Sequence, residues 1–182
     1  MRLAAAAIAA FTLFSGISAA QGYYSNRRAP SFNLPDSKFN RYDILDYRGR
    51  WLLVDFMRTD CPHCKSLSSV LEKVKARYGA KVAVLSVVLT PPDTQDTVAK
   101  YIAELKLTSP MVFDIAGQVA TAFFNATPAR PSFDTPHLFV INPEGKIVND
   151  WGHSEANHEI IEGNGLFAQL DKLFAGGVPA KK

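Results

Sequence analysis

Residues 51–65 read Trp51-Leu52-Leu53-Val54-Asp55-Phe56-Met57-Arg58-Thr59-Asp60-Cys61-Pro62-His63-Cys64-Lys65. The first seven form an apolar run interrupted only by Asp55, with the turn residue Gly49 just before it. A short apolar run bounded by turn signals reads as a buried central strand. From Lys65 to Tyr78 the apolar residues Leu67, Val70, Leu71, Val74 and Tyr78 recur at helical spacing. Pro62 suits the first turn of that helix, where a missing N–H costs no bond, and Gly79 supplies its stop. The chain has only two cysteines, and both fall where a buried strand gives way to a helix N-terminus.

The pattern extends outward in alternation. Val82 to Leu89 reads as a second buried strand. Val98, Tyr101, Ile102 and Leu105 mark a helix that Thr94 or Asp96 could cap. Met111 to Asp114 reads as a short strand and Ala116 to Phe124 as a short helix. Leu138 to Asn142 and Lys146 to Asp150 read as a hairpin turned by Pro143-Glu144-Gly145. Leu166, Leu170, Leu173 and Phe174 close the chain as a helix. Strands alternating with helices predict parallel pairing with crossovers, and the terminal hairpin adds antiparallel strands. The predicted class is α/β: a central mixed sheet with helices on both faces.

Length and composition narrow the function. A chain of 182 residues with 47% hydrophobic and 20% charged residues is an ordinary single globular domain whose core needs no disulfide staples. The net charge of +3 includes no block of like charge, so a nucleic-acid partner is not expected. The first twenty residues differ from the rest. Arg2 is their only charge, Leu3 to Phe14 are small or apolar, and Ser18-Ala19-Ala20 places small residues at the minus-three and minus-one positions. Residues 1–20 read as a secretory signal peptide cut near Ala20; the run is short for a membrane anchor. Residues 21–30 read as a flexible segment and 176–182 as a disordered tail. Export leads to the periplasm or the exterior, where disulfides persist. Two cysteines this close cannot close a large loop, which leaves redox chemistry or a metal as their use.

Cys61-Pro62-His63-Cys64 has the pattern that thiol–disulfide exchange requires. The nucleophile is a thiolate, whereas a free cysteine has a pKa of about 8.5. A helix N-terminus offers unpaired N–H groups and partial positive charge, and Cys61 stands where those groups point. An imidazolium at His63 would add to this. Cys64, one turn on, can reach back to resolve a mixed disulfide.

In this order of blocks the chain resembles the thioredoxin superfamily. It is most similar to exported ResA- and TlpA-type proteins, which share an insert with peroxiredoxins. The resemblance runs from about residue 30 to 175. It rests on Trp51–Phe56, the CxxC, Val82–Leu89, Pro110–Asp114, Phe133-Asp134-Thr135-Pro136-His137-Leu138 and Asn142–Val148, and makes 31–175 a thioredoxin-like domain. It implies that Pro136 is a cis proline beside the CxxC, with Thr135 offering backbone to a substrate. It also implies that Asp55 assists proton transfer to the resolving cysteine. Pro62-His63 matches the dipeptide of strongly oxidising DsbA-type enzymes, while the ResA resemblance implies a reductant served by a membrane electron donor. The direction of electron flow therefore stays open. The implied partners are protein or small-molecule thiols and disulfides, with a membrane electron donor or acceptor. The redox-active Cys61–Cys64 disulfide is the only prosthetic element expected, and the chain is expected to be monomeric.

Departures from the family sharpen the expectations. Asp60 replaces the usual aromatic residue before the first cysteine, and its carboxylate opposes a thiolate at Cys61 unless Arg58 offsets it. Leu67 replaces an acid, and residues 125–134 form a longer, Pro-rich loop. Two alternatives remain. Cys61, Cys64 and His137 offer two thiolates and an imidazole, a soft donor set for copper(I), as in thioredoxin-fold metallochaperones. A peroxiredoxin-like peroxidase would place Thr three residues before the reactive cysteine, but Arg58 is there and Thr59 is one step too close. His137 otherwise reads as a strand residue, and His153 and His158 as surface residues.

Overall fold

A computed structural model describes residues 22–127, 129 and 134–175. The leader 1–20 with residue 21, residues 128 and 130–133 of the Pro-rich stretch before Pro136, and the tail 176–182 lie outside the described residues. The described elements are β1 (Arg27–Arg28), β2 (Asn33–Pro35), β3 (Arg41–Asp43), β4 (Trp51–Met57), α1 (Pro62–Tyr78) and β5 (Val82–Thr90). After them come α2 (Gln95–Leu105), β6 (Met111–Ile115), α3 (Gln118–Phe124), β7 (His137–Ile141), β8 (Lys146–Gly152), α4 (His158–Ile161) and α5 (Gly165–Ala175).

Six strands form one sheet in the order β1-β8-β7-β4-β5-β6. β4 pairs parallel with β5, and β5 with β6. β7 is antiparallel to both β4 and β8, and β1 to β8. The mixed sheet expected from the sequence is present, with β4 inside it and buried along its whole length.

The period-two geometry of β4 sorts its side chains between two cores. Leu52, Val54 and Phe56 pack with Leu85, Val87, Phe123, Phe124 and Phe139 on the α3 face. Trp51 and Leu53 join Leu67, Val70, Leu71 and Val74 of α1 and Leu166 and Leu170 of α5 on the other. The α1 stripe read from the sequence is the stripe that is buried. Each such side chain stabilises the fold by about 1.5–3 kcal/mol on burial. By the same parity Asp55 belongs to the α1 face, although it is a carboxylate in an apolar layer.

The N-terminal segment departs from expectation. Residues 22–30, read as flexible, are pinned to β8. The Gly22 N–H donates to Asn149 Oδ1 at 2.8 Å, and Tyr24 N–H and Ser25 Oγ donate to Asp150 Oδ1 at 2.9 and 2.6 Å. Asp150 is buried, and its second oxygen meets His137 Nε2 at 3.0 Å. Polar pairing with residues about 125 positions away, rather than apolar periodicity, orders this stretch. Asp150→Ala should remove three of these bonds and leave their donors unpaired. The expected cost is roughly 2–4 kcal/mol, read as a lower urea midpoint together with faster proteolysis before Arg27; an unchanged midpoint would contradict the role given to Asp150.

Candidate active site

The end of β4 and the start of α1 build the site. Met57 is the last residue of the strand, and the turn Arg58–Asp60 brings the chain to Cys61. Cys61 is the N-cap of α1, with φ −95° and ψ 117°, and Pro62 occupies the first helical position. The Cys64 N–H donates to Cys61 Sγ at 3.2 Å. The cysteine sulfur thus takes the place that a Ser or Asp oxygen holds in an ordinary cap, and the helix N-terminus favours negative charge on it. Cys61 Sγ also lies 3.8 Å from the Thr135 carbonyl oxygen. Both thiols are free; Cys61 is half-buried and Cys64 buried.

Asp55 is fully buried, and neither carboxylate oxygen has a hydrogen-bond partner among the described residues. It sits deep in the sheet, in register with Ser86 of β5 and Leu138 of β7. Burial pushes its pKa up to about 8. Burial also pushes the Cys64 thiol well above its ordinary value, and the charge of Asp55 adds to that rise. Both groups therefore keep their protons at neutral pH, and once Asp55 ionises its charge further disfavours a thiolate at Cys64, since ionising both in one apolar layer is costly.

The turn before Cys61 is fixed by two acids. Asp60 is held by Arg58, whose Nε and Nη2 donate to its two oxygens at 3.1 and 2.7 Å. The offset expected of Arg58 is present as a paired fork. Asp93, just before α2, accepts from the Thr59 N–H at 3.1 Å and from the Thr59 hydroxyl, and also from Thr97 Oγ1 at 3.1 Å. Asp93 was not singled out by sequence; its only local signal was proximity to the cap at Thr94.

Pro136 follows Thr135 through a cis peptide bond. Thr135 and Pro136 adjoin β7, whose first residue, His137, lies in register with Phe56. His63 engages the segment that follows β8. Its Nδ1 is 2.6 Å from Glu162 Oε1, and its ring stacks on that of His153, with centroids 3.7 Å apart and planes 23° from parallel. His153 and His158 each place a nitrogen 3.4 Å from the same Glu162 oxygen. Burial raises the Glu162 carboxyl, but the His63 hydrogen bond and the His63 and His158 charges outweigh it and leave it below the usual range. His153 and His158 were expected to be surface residues; His158 is exposed and His153 partly so, and both also face this shared carboxylate.

The ligand set Cys61, Cys64 and His137 is not assembled. His137 is on β7 as expected, but its imidazole is buried against Asp150 and packs with Tyr24, Phe124 and Phe139. Among the described residues, the His, Cys and acidic side chains near enough to share an ion are His63, His153 and Glu162. No helix among the described residues is long and apolar enough to cross a membrane.

Comparison with known proteins agrees with this architecture. The AhpC/TSA family model matches residues 26–149. The chain is 21% identical over 154 residues to a Bacillus cereus protein named thiol-disulfide oxidoreductase ResA, covering 81% of this chain and 84% of that one. It is 25% identical over 139 residues to the Bacillus subtilis protein of the same name, covering 76% and 73%. The thioredoxin domain of a thiol-disulfide oxidoreductase from Bacteroides vulgatus superposes with a TM-score of 0.65 at 23% identity, over 86% of this chain and 99% of that domain. On its sheet order, its CxxC at the head of α1 and these matches, the chain belongs to the AhpC/TSA family and is a ResA-like member of the thioredoxin superfamily.

Proposed function

We propose that the protein is an exported thiol–disulfide oxidoreductase that exchanges disulfides with protein or small-molecule thiols through Cys61-Pro62-His63-Cys64. The observation that carries the reading is the asymmetry of the two sulfurs. Cys61 Sγ is half-buried and accepts an N–H at the helix mouth, whereas Cys64 is buried on the face of Asp55. Export is supported by the charged, apolar and small-residue order of residues 1–20.

In the reducing direction, the Cys61 thiolate attacks one sulfur of a substrate disulfide. A Cys61–substrate disulfide forms, and the other substrate sulfur leaves as a thiolate. The Cys64 thiol then gives its proton to Asp55 in its carboxylate form, whose share grows as pH rises through about 8, and its sulfur attacks Cys61 Sγ. The Cys61–Cys64 disulfide forms, the second substrate sulfur departs as a thiolate, and the substrate has gained two electrons. The oxidising direction is the reverse of these steps. Thr135 and Pro136 border the attacking sulfur, with the Thr135 carbonyl at 3.8 Å, so they are placed to align an incoming peptide beside Cys61.

Cys64→Ser tests this sequence. The variant should stop after the first step and retain one substrate half per chain on Cys61, seen as an added mass that dithiothreitol removes. Absence of an adduct with a reactive model disulfide, or an adduct elsewhere, would overturn the assignment. The copper-chaperone reading lacks its imidazole, since His137 is committed to Asp150. The peroxidase reading lacks a free threonine hydroxyl before Cys61, since that of Thr59 is bonded to Asp93.

A further inference from the structure

The chain has four histidines, and three of them, His63, His153 and His158, meet one oxygen of Glu162. They come from three places: the first turn of α1, the segment after β8, and α4. Chance placement of surface side chains does not gather most of a scarce residue type on one carboxylate. We propose that His63, His153 and Glu162 form a binding site for a divalent zinc-class cation beside the redox cysteines. The proposal does not rest on the oxidoreductase reading, because none of the ligands is a cysteine.

The chemistry and the spacing both fit. Two imidazoles and a carboxylate are a common ligand set for zinc, with a fourth position left to water. Metal–ligand bonds of about 2.0–2.1 Å at tetrahedral angles put ligand atoms about 3.3 Å apart. His153 Nε2 is 3.4 Å from Glu162 Oε1. His63 Nδ1 is at 2.6 Å, so an ion replaces that hydrogen bond after the pair opens by less than an ångström. The ligand atoms of all three residues lie within 4.8 Å of one another. His158 Nδ1 approaches the same carboxylate oxygen at 3.4 Å and helps hold it in place. All three ligand side chains are partly exposed, which leaves an entry path. A bound ion would hold two positive charges on a residue two positions from Cys61.

The test uses the full mature chain, free of any affinity tag, with the Cys61–Cys64 pair oxidised so that no thiolate competes. Calorimetric titration with Zn2+ should show one ion per chain. His153→Ala and Glu162→Gln should each weaken binding by at least about tenfold, as expected for loss of one ligand. Co2+ should give a visible ligand-field spectrum without a thiolate charge-transfer band, in the oxidised protein and equally in a Cys61→Ser/Cys64→Ser double variant. Failure of the oxidised protein to bind Zn2+, or binding that His153→Ala and Glu162→Gln leave unchanged, would overturn the site. A defect in thiol exchange would not bear on either readout.

Discussion

Replacing Cys61 with Ser should lower thiol–disulfide exchange to less than about one-thousandth of the native rate, because a hydroxyl is essentially un-ionised at neutral pH and is a poor nucleophile toward sulfur. The substitution is nearly isosteric, and a Ser oxygen is a favoured N-cap acceptor. The cap that Cys61 Sγ makes with the Cys64 N–H should survive, so α1 and overall stability should be little changed. Loss of activity with an unchanged urea midpoint therefore separates chemistry from folding. The readout is reduction of a model disulfide by the reduced protein under pseudo-first-order conditions. Retention of more than a few per cent of the native rate would remove Cys61 from the first step.

Asp55→Asn should change stability and rate in opposite directions. The Asp55 carboxyl has a pKa of about 8 in the folded chain, against about 3.9 for an unfolded aspartate. The folded state holds its proton more tightly than the unfolded state does. The favourable contribution is therefore complete below about pH 4 and is lost as pH rises through about 8. A difference of about four pH units corresponds to at most about 6 kcal/mol. Asn cannot ionise, so the reduced variant should match the reduced native protein near pH 4 and become several kcal/mol the more stable by pH 8.5. Urea unfolding at the two pH values measures the gap, and parallel curves for the two proteins would contradict it. In the proposed mechanism the same change removes the base that takes the Cys64 proton. Resolution of the mixed disulfide should slow by about a hundredfold or more, and an inflection near pH 8 should vanish from its rate profile.

How much of this was legible depends on how each feature is encoded. β4, α1 and their junction were readable because an apolar run and a helical stripe are local signals. Leu67, Val70, Leu71 and Val74 are buried as the stripe required. Asp55 stood out as the polar residue in that run, though its lack of a hydrogen-bond partner among the described residues did not. The order around Gly22, Tyr24 and Ser25 was illegible, because it rests on Asn149 and Asp150 and leaves no periodic trace in residues 21–30. The same holds for His63, His153 and Glu162. Their separations in sequence match no ligand motif, and only the return of the chain after β8 brings them together. Asp93 illustrates a third kind of miss: a short acid beside a helix cap reads as local, yet it fastens Thr59, 34 residues earlier.

The short strand β1 has an implication for how the molecule meets copies of itself. An open sheet margin presents unpaired N–H and C=O groups that invite another chain to add on. Here β8, which would otherwise be a margin, is covered at its start by β1. Arg27 and Arg28 pair with Ile147 and Lys146, and Asn26 and Ala29 donate to Ile147 and Gly145. The far margin, β6, is interrupted by the bridge from Asp36 to Val112. Deleting residues 22–30 would strip the first margin bare, and the truncated chain would acquire a tendency to aggregate that the intact one is built to resist.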